Sequence, residues 1–237
     1  MSVFVTARRL VRTIWAPSQA FEEVREGPAC LGPFLVVGLG AAAIACVTLP
    51  VFERLFLLSL SEPLSPDRLE RLARAHRLMR HLSIAGAFLG TLLSGLVSAF
   101  LIWLIVQVFE GTAGFKAILS VVFHASVVSL ISGTLVSALM LVKAQGGAAG
   151  PEDLDIRLGA DLLVRGDPHP ALKALLAGLN PFSLWYYGLL TAGVRVTCGL
   201  SRSRSAWVVG AFWAICVAFW SGAAWALASL RPPTSSL

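Results

Sequence analysis

Five runs of this chain are almost bare of polar side chains. They extend from Leu31 to Phe52, Leu82 to Val108, Ala117 to Val142, Phe182 to Leu200 and Ala206 to Ala228, and Arg195 is the one charged residue inside them. A hydrocarbon core of roughly 30 Å is crossed by about 20 residues of α-helix at a rise of about 1.5 Å per residue. A charge at mid-bilayer costs about 2.5–3.5 kcal/mol on insertion scales, so this segregation marks a spanning bundle rather than the core helices of a water-soluble domain. The pattern predicts an all-α integral membrane protein with five transmembrane helices and short interfacial helices in the N-terminus and the two longer loops. It divides the chain into an amphipathic segment at 1–30, a membrane domain at 31–229 and a polar tail at 230–237.

The segments between the runs have patterns of their own. Met1 to Pro17 lacks the apolar core and small-residue cleavage site of a signal peptide. Instead Phe4, Val11, Ile14 and Trp15 share a helical face opposite Arg8, Arg9 and Arg12, which predicts a helix lying in the membrane plane. Ser65-Pro66-Asp67 reads as a helix start, with a capping hydroxyl, a proline in the first turn and an acid at the positive dipole end. From there Arg68, Arg71, Arg74, Arg77 and Arg80 recur at every third position and spiral around an interfacial helix. The loop from Lys143 to Pro181 predicts two short helical stretches, near Leu154 to Val164 and Pro170 to Leu179.

Composition sharpens this picture. At 57% hydrophobic, 14% charged and a net charge of +6, the chain has too little polar surface for a soluble two-domain enzyme. In this setting the basic residues meet lipid phosphates and set orientation, and no nucleic-acid partner is expected. An odd number of spans puts the termini on opposite sides. The raw count of basic residues favours the opposite side, but the tightest hairpin carries Arg202 and Arg204 beside Arg195, which places the N-terminus in the cytoplasm.

Between spans, lipid removes most of the hydrophobic driving force, so small residues at every fourth position are read as packing seams. Such rows are Gly86, Gly90, Ser94 and Ser98 in the second run, Ser129, Gly133 and Ser137 in the third, and Gly210, Ala214, Ala218 and Gly222 in the fifth. Packing against neighbouring helices of the same chain is the expectation, and a second subunit is the alternative. Trp103, Trp185, Tyr186, Tyr187, Trp207 and Trp225 lie near run ends, where amphipathic rings sit at headgroup level.

Chemistry is sparse. No Asp or Glu lies in any run, which argues against a carboxylate relay or an intramembrane aspartyl protease, and the H-E-x-x-H and G-x-S-x-G motifs are absent. Ser120 and His124 share a face and with Ser126 and Gln107 mark a polar path, His124 being read as an interhelical hydrogen-bonding group rather than a base. Asp153, Asp155, Asp161, Asp167 and His169 match no metal-ligand spacing and read as turns and caps. Cys30, Cys46, Cys198 and Cys216 form no C-x-x-C pair and read as reduced, small apolar residues. No metal, cofactor or enzymatic activity is expected.

Three stretches resemble the Yip domain family, the Ypt/Rab-interacting multipass membrane proteins. The first is Ala16-Pro17-Ser18-Gln19-Ala20-Phe21 ahead of a proline-containing entry to the first run. The second is Gly111-Thr112-Ala113-Gly114-Phe115-Lys116, and the third is Asn180-Pro181-Phe182-Ser183-Leu184-Trp185 followed by Gly193 and Ser201-Arg202-Ser203-Arg204. The resemblance implies a five-span helical fold with a cytosolic N-terminus and marks Pro17, Phe21, Phe115, Lys116, Phe182, Trp185 and Gly193 as motif positions. Eukaryotic relatives act with Rab GTPases, but their Tyr-Gly-Pro cytosolic motif is missing here, so a Rab partner is not expected. The excess of Arg over Lys and the abundance of Ala fit a GC-rich bacterial genome and hence a bacterial cytoplasmic membrane.

Two functions are then open. One is a scaffold or adaptor that binds a membrane protein partner or a second copy, together with anionic lipid. The other is a small transporter or lipid-handling protein built on the polar path near His124.

Overall fold

The computed structural model describes residues 3–58, 65–147, 151–164 and 169–229, and all regular elements among them are helical. Two short helices come first, α1 (Val3–Trp15) and α2 (Pro17–Glu26). Pro17 opens α2 with its fixed φ and missing N–H, and the chain leaves the helix at Gly27 and Pro28. Next come α3 (Leu31–Leu58) and α4 (Pro66–Val108). The third run is split into α5 (Phe115–Ala125) and α6 (Val127–Gln145), and the chain closes with α7 (Pro170–Gly178), α8 (Pro181–Cys198) and α9 (Arg202–Ser229).

Four segments among the described residues are long and apolar enough to cross a membrane: Leu31–Leu57, Glu70–Val108, Phe115–Gln145 and Arg202–Leu227. The fourth run of the sequence, α8, is not one of them. Its 18 residues reach the lower end of the length of a span, but Ser183, Tyr186, Tyr187, Thr191 and Thr197 dilute its apolar character and Arg195 sits in its last turn.

The arginine row corrects an expectation. It is not a separate interfacial helix but the first part of α4, which runs unbroken for 43 residues. Nothing between Pro66 and Gly86 interrupts it, because that stretch holds no further proline or glycine and is rich in Leu, Arg and Ala, which favour helix. Ser65 makes no side-chain cap, although Pro66 and Asp67 occupy the first turn as read. Glu70 pairs with Arg74 one turn on at 3.4 Å, and Glu53 of α3 meets His76 at 3.4 Å, tying the two helices together.

The core lies at the opposite end of the bundle. There Phe21 and Val24 of α2, Ile102 and Val106 of α4, Val121 of α5 and Leu190 of α8 are all fully buried in one cluster, with Val208 and Phe212 of α9 closing it. Asn180 caps α8 by accepting the Ser183 N–H at 2.9 Å. Gly199, at φ +67°, ends that helix in the left-handed region that a side chain would resist, which turns the chain tightly into α9.

The 143–181 loop forms 3₁₀ turns at Pro151–Leu154 and Ala160–Leu163 ahead of α7. The side chain of His169 accepts the Ala171 N–H at 3.3 Å and caps α7, and Asp155 pairs with Arg157 and Lys173 at 3.0 and 3.5 Å. Asp161 is buried in the second turn. Asp167 lies outside the described residues, as does the 230–237 tail.

Candidate functional site

The polar groups of the bundle gather where α1 and α2 meet the entrances of α3 and α5. Arg9 Nε donates to Glu23 Oε2 at 2.9 Å and Arg12 Nη1 to Oε1 at 2.6 Å, so one carboxylate holds both arginines. Arg9 also donates to the Gly27 carbonyl at 3.2 Å. Desolvation pushes the Glu23 pKa up, but the hydrogen bonds and charges of the two arginines outweigh it and hold the carboxyl below its usual range. The clasp shuts α1 onto α2.

The ion pairs add a partner that the reading of α1 lacked. Arg9 and Arg12 do not stand free for lipid phosphates; they turn toward Glu23, while Thr6, Leu10 and Thr13 face the bundle. The face bearing Val11 and Trp15 points away from the protein, and Trp15 is 83% exposed. Arg8 lies exposed beside that face, as do Arg202 and Arg204 at the start of α9.

Beneath the clasp, His124 is fully buried. Its Nδ1–H donates to the Ser120 carbonyl at 2.7 Å, and the Ser120 hydroxyl donates to the Ala29 carbonyl at 3.0 Å. The Ser120 proton is therefore directed at backbone, and the imidazole nitrogen facing it already carries its own hydrogen. A nucleophile and its base need the reverse arrangement. Nε2 has no hydrogen-bond partner among the described residues. Ser120 ties the α2–α3 linker to α5, whereas His124 bonds within its own helix and not to a neighbouring one as the sequence reading expected.

One turn further on, the third run is irregular at a single residue, without a proline. Ser126 Oγ donates back to the Val122 carbonyl at 2.8 Å, while its backbone stays in the right-handed helical region at φ −64° and ψ −8° and the Leu130 N–H still donates to its carbonyl at 3.2 Å. A hydroxyl bonding to the preceding turn bends a helix. Beside Ser126 lies a cavity of about 430 Å³ whose wall is mostly apolar, with Val37, Ile44, Val122 and Leu130 among its lining and Ser94, Ser98, Ser126, Ser129 and Tyr186 set between them. Of the polar path, Ser126 reaches this cavity. Ser120 and His124 are outside its lining, and Gln107 is exposed at the end of α4.

The small-residue rows part ways. Ser94, Ser98, Ser129 and Gly133 line the cavity, and Ser137 is buried. By contrast a Cβ on Gly86, Gly90, Gly210 or Gly222 would meet nothing within 4 Å, and Ala214 and Ala218 are exposed. The α9 row thus faces outward, against the expectation that it packs within the chain. Close helix contacts fall instead at Gly95 against Phe123, Gly40 against Leu130 and Gly193 against Val121 and Phe21.

That last contact unites two motif positions far apart in sequence. Phe21 is fully buried with a Gly193 Cβ position 3.2 Å from its ring, so the glycine leaves the space the ring fills. Pro17 opens α2 and presents that ring, Phe115 and Phe182 flank the same core, and Trp185 stays largely outside it. The role of Gly40 and Gly95 escaped the four-residue spacing, because each meets one bulky side chain rather than a row.

No solved structure matches the chain. It is similar to "Membrane protein YknW" of Bacillus subtilis (strain 168), at 28% identity over 204 residues, covering 84% of this chain and 82% of that protein. The Yip1 domain model matches residues 11–223, from the clasp arginine Arg12 through Phe21, Gly193 and the α9 row, and this chain belongs to the Yip1 domain family.

Proposed function

We propose that this protein is a non-enzymatic multipass scaffold or adaptor of a bacterial cytoplasmic membrane, with its N-terminus in the cytoplasm. It holds a membrane protein partner or a second copy through α9 and anionic lipid through the basic and aromatic residues around the bundle entrance. In this reading α8 completes a fifth crossing.

The observation that carries the reading is the outward row Gly210, Ala214, Ala218 and Gly222. It leaves open space at both glycines, between exposed Trp207, Ile215 and Phe219. Small residues let two helix backbones approach closely in lipid, where packing replaces the hydrophobic drive. Since nothing among the described residues occupies that space, Gly222→Leu is expected to leave the monomer intact and block only what docks there. Brief crosslinking in native membranes, then purification and mass spectrometry, tests it. The expected result is a stoichiometric partner or dimer with the wild type and its loss with Gly222→Leu; full assembly by the variant refutes the row as the docking face.

A second reading rests on the cavity beside Ser126, where several serines and Tyr186 meet at the irregular residue of the third run, because transporters build midplane sites from interrupted helices. It predicts solute flux in proteoliposomes that Ser98→Leu abolishes by filling the cavity.

A further inference from the structure

At the entrance of α3, the α1 helix, the Pro28–Gly32 linker and the first turn of α5 do not close on one another. They leave a crevice of about 650 Å³, within the size range of small-ligand sites. One wall is α3. Leu31, Leu35 and Leu39, spaced by four, put a single apolar row along about 12 Å of helix from its first residue into the span. At exposures of 68%, 37% and 59%, the row is left partly uncovered by the described residues, most of all at Leu31 and Leu39.

The other wall carries a charge. Lys116 lines the crevice from α5, is exposed, and pairs with no carboxylate among the described residues. The linker's polar atoms offer little beside it. The Ala29 carbonyl already accepts from Ser120, and the Lys116 carbonyl accepts from the Cys30 thiol at 3.3 Å. An extended peptide would find few backbone partners here. An apolar row ending at one cation fits an amphiphile with a negative head.

We propose that this crevice binds one anionic phospholipid, an acyl chain lying along Leu31, Leu35 and Leu39 and the headgroup phosphate on the Lys116 ammonium. Thr6 of α1 forms the roof, so the lipid bridges the N-terminal clasp to α3 and α5. This deepens the lipid half of the adaptor reading by giving it a site. It is independent of the α9 row.

The test uses the full chain, delipidated in mild detergent and titrated with phosphatidylglycerol or phosphatidylcholine under native mass spectrometry. The wild type is expected to retain one phosphatidylglycerol, favoured over phosphatidylcholine by about fivefold, the scale of one lysine at an anionic headgroup. Lys116→Gln is expected to erase that preference, and Leu35→Trp, which fills the crevice, to abolish retention of both lipids. Equal retention of the two lipids by the wild type, or wild-type retention and preference in either variant, overturns the proposal. Should Leu35→Trp not fold, Lys116→Gln decides alone. Gly222→Leu protein is expected to keep the lipid, so failure of the α9 docking face and failure of this site are read separately.

Discussion

The two ends of this bundle differ in how their apolar surface is covered. At the clasp end, every residue from Ile118 to Val128 except Leu119 and Ser126 is buried, and five helices meet around Phe21 and Leu190. At the other end α4 leaves most side chains from Arg71 to Gly90 exposed, and its buried cluster is Leu55, Met140 and Leu154. The cover differs: protein atoms enclose the clasp end, whereas the far end stays open, charged from Arg71 to His81 and apolar beyond, where its exposed leucines are of the kind that acyl chains would cover. Stability at the clasp end is therefore a matter of side-chain fit, whereas the far end tolerates change within a helix so long as its hydrophobicity is kept.

The sharpest way to break this contrast is to remove a ring from the core. Phe21→Ala is expected to cost about 3–5 kcal/mol through lost burial and a residual cavity, read as a fall in the thermal unfolding midpoint in detergent. Gly193→Val drives a side chain into Val121 and Phe21 and is expected to cost about 1–3 kcal/mol from overpacking. At the other end Gly90→Leu, placed in open space, is expected to stay within about 0.5 kcal/mol; a midpoint that falls as far as for Gly193→Val would erase the distinction.

Smaller effects belong to the clasp. Glu23→Gln is expected to lose about 1 kcal/mol, the upper range for a partly exposed pair, seen as faster hydrogen exchange in α1 with that of α6 unchanged. The pH dependence has a definite sign. Because the folded Glu23 pKa lies below the ordinary value of 4.5, its contribution is complete above that value and lost as pH falls through the lower folded one. Protection of α1 should thus be flat from pH 7 down to 4.5 and decline below, and a decline beginning above 4.5 would contradict the clasp. The α8 crossing is tested by labelling Gly178→Cys and Ser201→Cys in a cysteine-free background. Reaction from opposite sides of the membrane is expected, and labelling of both from one side would leave four spans.

Much of this was legible in the pattern of residues. Four of the five spans read from the runs, and the turn-and-cap reading of His169, follow from hydrophobic run length and local backbone chemistry, which act over a few neighbours. The pairing of Arg9 and Arg12 was not legible, because an amphipathic wheel shows which residues share a face but not that a carboxylate at Glu23 waits on the next helix. The α4 helix was divided in two because a change from charged to apolar side chains looks like a boundary, whereas the backbone hydrogen bonds continue through it.

Sequence alone determined that this chain is helical and membrane-embedded, and its ordered motifs pointed to the family, because burial in lipid demands apolar runs that few soluble proteins have. Only the tertiary structure decided which small residues touch and which face outward. It alone brought Phe21 to Gly193, turned the Ser120 proton away from His124 and opened the crevice beneath α1. Those outcomes depend on the rotation of each helix about its axis, set by contacts between residues up to 172 positions apart that no local periodicity encodes.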